Sequence, residues 1–282
     1  MSFPRTPLGD VRLSIAATLC IVSIACGPKE PEVLTPEPPR GYQPFSASYH
    51  GITHARIEQT YNNQAEVNNV RMHYYVAVEV AAADSQLNAR LVLDSISEVE
   101  GIPHENLSAR TDSARGVTYA GVLARDGSIS DFGGGESGGS LAKELADRVI
   151  KPFFPLIPEH GAEPGVSWTD TLETVASLGG VENNVRSVRE HRATEWTTYA
   201  GQPALLIETT SSYTFSGSGV QVGQEFTLEG QGRRYTSQYL GVDGRFLGFV
   251  SADTADAQAN LTEAGITIPV HQTRADTLTI MQ

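Results

Sequence analysis

Cysteine is nearly absent: 282 residues hold two, Cys20 and Cys26, both close to the N-terminus. The rest of the chain has no disulfide to staple it, so its stability must come from a buried core. Neither C-x-x-C nor H-E-x-x-H occurs, and His104, His160, His191 and His271 are scattered without a ligand-spaced partner. No metal site and no cofactor is therefore expected. Positive charge is scarce as well, with 20 Lys and Arg against 33 Asp and Glu for a net charge of −13. That balance excludes nucleic acid as a partner, and it excludes a basic patch gripping anionic lipid headgroups. The uncharged run from Leu13 to Ala25, LSIAATLCIVSIA, is too short to span a bilayer. With Arg5 and Arg12 ahead of it, it has the form of a signal-peptide core.

The run stops at Cys26. Ser23-Ile24-Ala25-Cys26 resembles a bacterial lipobox, in which the cysteine is lipidated and becomes the first mature residue; Ser23 departs from the leucine usual at its position. Cys20 fits less well, because Leu19 before it is not small. Cleavage near Ala25 without lipidation is the alternative. The resemblance implies an exported bacterial lipoprotein facing the periplasm or cell exterior, with the outer membrane favoured and the membrane engaged through the lipid on Cys26. Loss of residues 1–25 removes two arginines and Asp10, leaving 18 minus 32, or −14. Residues 27–44 carry six prolines and no apolar periodicity, which reads as an extended tether of at most about 3.1 Å per residue. The organisation expected is a signal peptide at 1–25, the lipidated cysteine and tether at 26–44, and a single β-rich domain at 45–282.

Within that domain the apolar period is two. In RMHYYVAVEV, the residues Met72, Tyr74, Val76, Val78 and Val80 share one face, and in ALLIETTSSYTF the residues Leu205, Ile207, Tyr213 and Phe215 do the same. Further strands are expected at 46–61, 88–98, 116–124, 128–132, 167–176, 183–198, 222–230, 232–241, 245–253 and 266–280, joined by short Gly, Asn or Asp turns. The segments 117–132 and 234–249 align without gaps and share an Asp-Gly turn, Asp126-Gly127 and Asp243-Gly244, in which both central residues can need positive φ. Similar halves at 45–132 and 166–282 would follow if this is a duplication. One helix is expected at 140–152, where Leu141, Leu145, Val149 and Ile150 form a stripe, Ser140 caps the start and Pro152 the end. The fold class is mainly β: an antiparallel, strongly curved sheet or half-barrel with this helix packed on it.

The glycine run before the helix spells two motifs. Gly135, Ser137 and Gly139 match G-x-S-x-G, while Gly133, Gly135 and Gly138 match G-x-G-x-x-G. Both need a parallel βαβ context that an Asp-Gly hairpin does not supply, so the run reads as a hinge. His50 and His54 would share a strand face about 13 Å apart, too far for one metal ion, leaving a pairing of either with His73 on a neighbouring strand. Glu98, Glu100 and Glu105 read as solvated, and Trp168 and Trp196 as core or sheet-edge residues. No enzyme activity is expected.

FFPLIPEHGAEPGVSWTDTLE, residues 153–173, resembles a phrase of bacterial β-rich lipoproteins of unknown function, through Pro155, Pro158, Gly165 and Trp168. The anchored sheet with one helix is also loosely similar to lipoprotein-carrier and mycobacterial lipid-binding lipoprotein half-barrels. That resemblance implies an apolar cavity between sheet and helix, lined by Leu141, Leu145, Val149, Phe153 and Phe154, for a lipid or other hydrophobic ligand. The alternative is a tethered structural or protein-interaction module whose core is filled.

Overall fold

A strand whose side chains alternate apolar and polar must bury one face, and eleven such strands here do so together. In the computed structural model, residues 41–281 are described apart from 62–63, 85, 101–113, 135–152, 159, 179–180, 222–223 and 262. The strands are β1 (Phe45–Tyr61), β2 (Gln64–Ala83), β3 (Gln86–Glu100), β4 (Val117–Leu123), β5 (Ile129–Gly134), β6 (Ser167–Leu178), β7 (Val181–Tyr199), β8 (Gln202–Gln221), β9 (Gln224–Gly241), β10 (Phe246–Leu261) and β11 (Ile266–Ile280). They form one sheet in the order β5-β4-β3-β2-β1-β11-β10-β9-β8-β7-β6. Every neighbouring pair is antiparallel.

The chain starts at the middle of the sheet, steps outward from β1 to β5, reappears at the opposite edge as β6, and steps back until β11 closes against β1. Pro36–Gln282 forms one compact unit that contains the whole sheet.

Register places Phe45, Ala47 and Tyr49 opposite Val80, Val78 and Val76, and those valines opposite Ala89, Leu91 and Leu93. This is the core face, and its centre lies at the end of the sheet where β1 begins. Residues 153–158 cross it there. Phe153 packs edge-on against Tyr49 and Phe246, each at 5.0 Å between ring centres, and the Tyr42 hydroxyl donates to the Pro155 carbonyl at 2.9 Å. Burying each of these rings contributes about 1.5–3 kcal/mol relative to exposure.

The expected strong curvature is not found: the sheet is open and is not strongly curled. Bending a sheet takes bulges, and the register shifts sit near the core end, at Phe246/Gly248, Ala193/Glu195, Tyr75/Val76, Arg71/His73 and Ala120/Val122. From β2 across to β6 the far ends of the strands pair without interruption. The helix expected at 140–152 lies outside the described residues, and among those residues no helix of a full turn occurs.

Two strand expectations need correction. Segments 222–230 and 232–241 are one strand, β9, because the missing side chains of Gly230 and Gly232 are covered from β8: a Cβ on either would lie 2.4 Å and 2.3 Å from the rings of Phe215 and Tyr213. β10 runs on from 253 to Leu261 through TADAQANL, where the apolar members of the alternation, Ala255, Ala257 and Ala259, are small enough to be overlooked. The two Asp-Gly hairpins do share a geometry, yet only the glycines have positive φ, 90° at Gly127 and 76° at Gly244. Each is closed by the same bonds, Gly127 N–H to Ala124 O with Ala124 N–H to Ser128 O, and Gly244 N–H to Gly241 O with Gly241 N–H to Arg245 O. The aspartates serve instead as acceptors, Asp126 from Ser128 N–H and Asp243 from Arg245 N–H.

Candidate functional site

Opposed residues of an antiparallel sheet share a face, so the register defines rows across the core face. Nearest the core runs Thr53, Asp276, Ser251, Thr236, Thr209, His191 and Trp168; beyond it runs Ala55, Arg274, Asp253, Arg234, Ser211, Arg189 and Asp170. Together they form a belt of buried polar groups. Asp276 accepts from Thr53 Oγ1 at 2.6 Å and from Arg274, Nη2 at 2.8 Å and Nε at 2.9 Å. Asp253 accepts from Tyr213 at 2.6 Å through one oxygen and from Arg234 through the other, at 2.7 and 3.0 Å. Arg189 holds Asp170 with two parallel bonds of 2.6 and 2.7 Å, a fork geometry with strong orientation.

His191 belongs to the same belt. Its ring stacks on Trp168 at 5.2 Å, and its Nδ1 lies 2.8 Å from Thr209 Oγ1, which itself donates to Gln238 at 3.2 Å. Nδ1 and the Thr209 hydroxyl share one hydrogen bond, and Nε2 lies 3.4 Å from Asp170. The order hydroxyl, imidazole, carboxylate also occurs in acyl-transfer triads. Here the Thr209 hydroxyl is buried, and its bonds with His191 and Gln238 tie β7, β8 and β9 together.

Burial lowers the His191 pKa, with the Arg189 charge acting in the same direction and Asp170 opposing both. The folded state thus binds fewer protons than the unfolded one, whose histidine titrates near about 6.5. The stability from a neutral His191 is complete above that pH and is lost as pH falls through it toward the lower folded value. Urea midpoints should decline between about pH 7 and pH 5, and His191→Gln should flatten part of that decline; an unchanged slope would contradict this role.

Beyond the belt the same face becomes a shallow trough of about 1210 Å³. It crosses eight strands, and in each strand the central lining residue belongs to the core face: Gln59, Val270, Ala257, Gly230, Phe215 and Val185 across the middle, with Glu66 and Thr174 at the ends. The floor is low at Ala257 on β10, while the Phe215 ring covers Gly230 beside it. The charged residues that alternate with this row belong to the opposite face, where Arg186 lies 3.3 Å from Glu173 and His271 lies 2.7 Å from Asp256.

The residues singled out from sequence fall elsewhere. Cys26, Ser137, Leu141, Leu145 and Val149 lie outside the described residues. Phe153 and Phe154 are buried in the aromatic core, packed on each other at 5.0 Å. His50 and His73 do meet, on the opposite face, with Nε2 and Nδ1 3.1 Å apart and His50 stacked on Tyr75. His54 takes no part in this pair, and among the described residues no group of three or more His, Cys, Asp or Glu is placed to hold a metal ion. Trp168 is on the edge strand and Trp196 packs against the core.

The belt itself went unread in the sequence, although a signal for part of it existed. Gly179-Gly180 is, as a sequence, the signal of a two-residue hairpin. Counting back from it sets Trp168 against His191 and Asp170 against Arg189, as found.

No protein-family model matches the chain, and no curated protein matches it. Two solved structures that match do so at 7% identity. One is a loop L8 deletion mutant of OmpT, an outer membrane protein of Vibrio cholerae, with a TM-score of 0.22 over 84% of this chain and 99% of that one. The other is a domain from Vibrio parahaemolyticus described as an outer membrane lipoprotein-sorting protein, with a TM-score of 0.15 over 83% of each chain. Scores this low carry no argument about fold or function.

Proposed function

We propose that the chain is a cell-envelope lipoprotein, anchored through Cys26, whose trough receives the apolar part of a lipid or other hydrophobic molecule. The observation that carries this reading is the trough floor. A sheet face meant to be closed by its own side chains would present large residues in mid-sheet, yet Ala257 stands there between Val270 and Gly230, which the Phe215 ring covers. Small residues leave room, and the flanking apolar groups give a ligand something to cover. The lipobox-like Ser23–Cys26 supports the envelope setting, and the proline-rich tether supports a domain held near a membrane.

The belt fits the same reading. Its arginines are matched by Asp170, Asp253 and Asp276, so it rigidifies the inner end of the trough without offering a free cation to an anionic headgroup. Glu66, at one end of the trough row, favours a neutral or cationic head over an anionic one.

Filling the floor tests this. The chain from residue 26, carrying Cys26→Ser so that no acyl chain is attached, should bind a fluorescent amine-headed alkyl probe. Ala257→Trp should weaken that binding by about tenfold or more, about 1.4 kcal/mol, with no change in thermal unfolding. Equal binding by both proteins, or none by either, would leave a tethered structural or interaction module instead.

A further inference from the structure

The two edges of the sheet are built differently. β5 spans six residues, ends in glycines, has a register shift against β4, and holds Asp131 at φ 51°. Shortness and irregularity of this kind protect an edge from pairing. β6 spans twelve residues, Ser167–Leu178, and pairs with β7 throughout without a shift. It contains no proline and no lysine, and it exposes Leu172 and Val175 at 36% and 52%. Among the described residues no strand pairs with its outer side.

We infer that β6 is an interaction edge and that its partner is β6 of a second copy of this chain, joined antiparallel about a two-fold axis. The phase of the ladder can be read from Ala193, which accepts from Gly165 N–H and donates to Val166 O. Alternation from there bonds Trp168, Asp170, Leu172 and Thr174 inward to β7, and it points the N–H groups of Thr169, Thr171, Glu173 and Val175 outward. A two-fold perpendicular to the sheet keeps each side chain on its own face, so it must pass through a residue position. Centring on 170 would set Asp170 against its copy, and centring on 173 would do the same for Glu173. Centring on 171 would set Asp170 against Leu172. Centring on 172 sets Leu172 against Leu172, Asp170 against Thr174, Thr169 against Val175 and Thr171 against Glu173.

That last register opposes no like charges and covers both exposed apolar residues. It also makes Leu172 a non-hydrogen-bonded pair, the class in which side chains approach most closely. Because Thr174 and Val175 line the trough, the joined edges bring two troughs side by side, so one wall of each is completed by the partner copy. The pairing itself stands independently of whether the trough holds a ligand.

Sedimentation of the chain from residue 26 carrying Cys26→Ser should show a dimer at its highest soluble concentration. Val175→Pro removes an outward N–H and spares the β6–β7 ladder, and Leu172→Lys places like charges on the axis; each should give a monomer with an unchanged circular dichroism spectrum. With no other cysteine present, Leu172→Cys should oxidise to a disulfide-linked dimer and Asp170→Cys should not, since only a residue on the axis faces its own copy. A monomeric parent protein overturns the inference. So does a dimer that survives Leu172→Lys or that cross-links through position 170 rather than 172.

Discussion

Asp276→Ala should destabilise the folded sheet by about 3–5 kcal/mol, because it strands the Arg274 guanidinium without a counter-charge. Both side chains are buried, 5% and 6% exposed, and Asp276 is also the acceptor for Thr53 on β1. One carboxylate thus bonds the first strand of the chain to the last, at the seam where the two meanders meet. Replacing both partners by apolar residues of similar volume, as in Arg274→Met with Asp276→Leu, should recover most of the loss, since the cost lies in the orphaned charge. Chemical unfolding of the three variants separates these contributions; a double variant as unstable as Asp276→Ala would contradict the account.

The same pair sets behaviour in acid. Burial pushes the Asp276 pKa up, but the Arg274 charge and the bonds from Arg274 and Thr53, with a smaller contribution from Arg234, draw it below the usual carboxylate value. A depressed folded pKa gives stability that is present above the unfolded value, near about 3.9, and is lost as pH falls through the folded one. His191 weakens the fold earlier in the same descent, so acid unfolding should have a shallow onset and a steeper end.

Gly248→Ala is the second large effect. Gly248 has φ 142°, a region essentially reserved for glycine, and a Cβ there would lie 2.0 Å from the Leu278 carbonyl oxygen. The neighbour is backbone in the central strand β11, so it cannot swing away. Tyr199 lies close over the same glycine and bonds Leu278 O and Thr279 Oγ1 at 3.1 and 3.0 Å. Strain of this kind costs on the order of 3 kcal/mol, and the steric conflict adds to it. Thermal unfolding should show a large drop for Gly248→Ala and a small one for Gly133→Ala, whose Cβ would meet nothing within 4 Å. Equal drops would mean that the bulge at Phe246/Gly248 is not fixed as described.

Period-two patterning made most of this fold legible, because alternation such as Met72 to Val80 is a direct image of a half-buried strand. It failed where the strand carried little side chain. β10 beyond 253 is rich in alanine, and Gly230 and Gly232 look like a break until Phe215 and Tyr213 are known to lie over them. Such rescue is a contact between strands, invisible in either strand alone. The strand order was likewise out of reach, since nothing local says that β1 pairs with β11 some 220 residues away, as Thr53 and Asp276 do. The belt was half legible: the Gly-Gly signal at 179–180, read as a two-residue hairpin, sets Asp170 against Arg189, while the alignment of Arg274, Asp253 and Arg234 needs three strands in register. The trough was not legible, because small residues on separate strands mark a site only when the rows are assembled.

The central claim is that the low floor at Ala257, flanked by Val270 and Phe215, is a seat for an apolar ligand. The most direct measurement is solvent extraction of the natively purified chain from residue 26, with Cys26→Ser, followed by mass spectrometry of what was bound. The account predicts a hydrophobic molecule in stoichiometric amount, much reduced in the equally folded Ala257→Trp protein. An extract with no such molecule, or one as rich from Ala257→Trp, would contradict it.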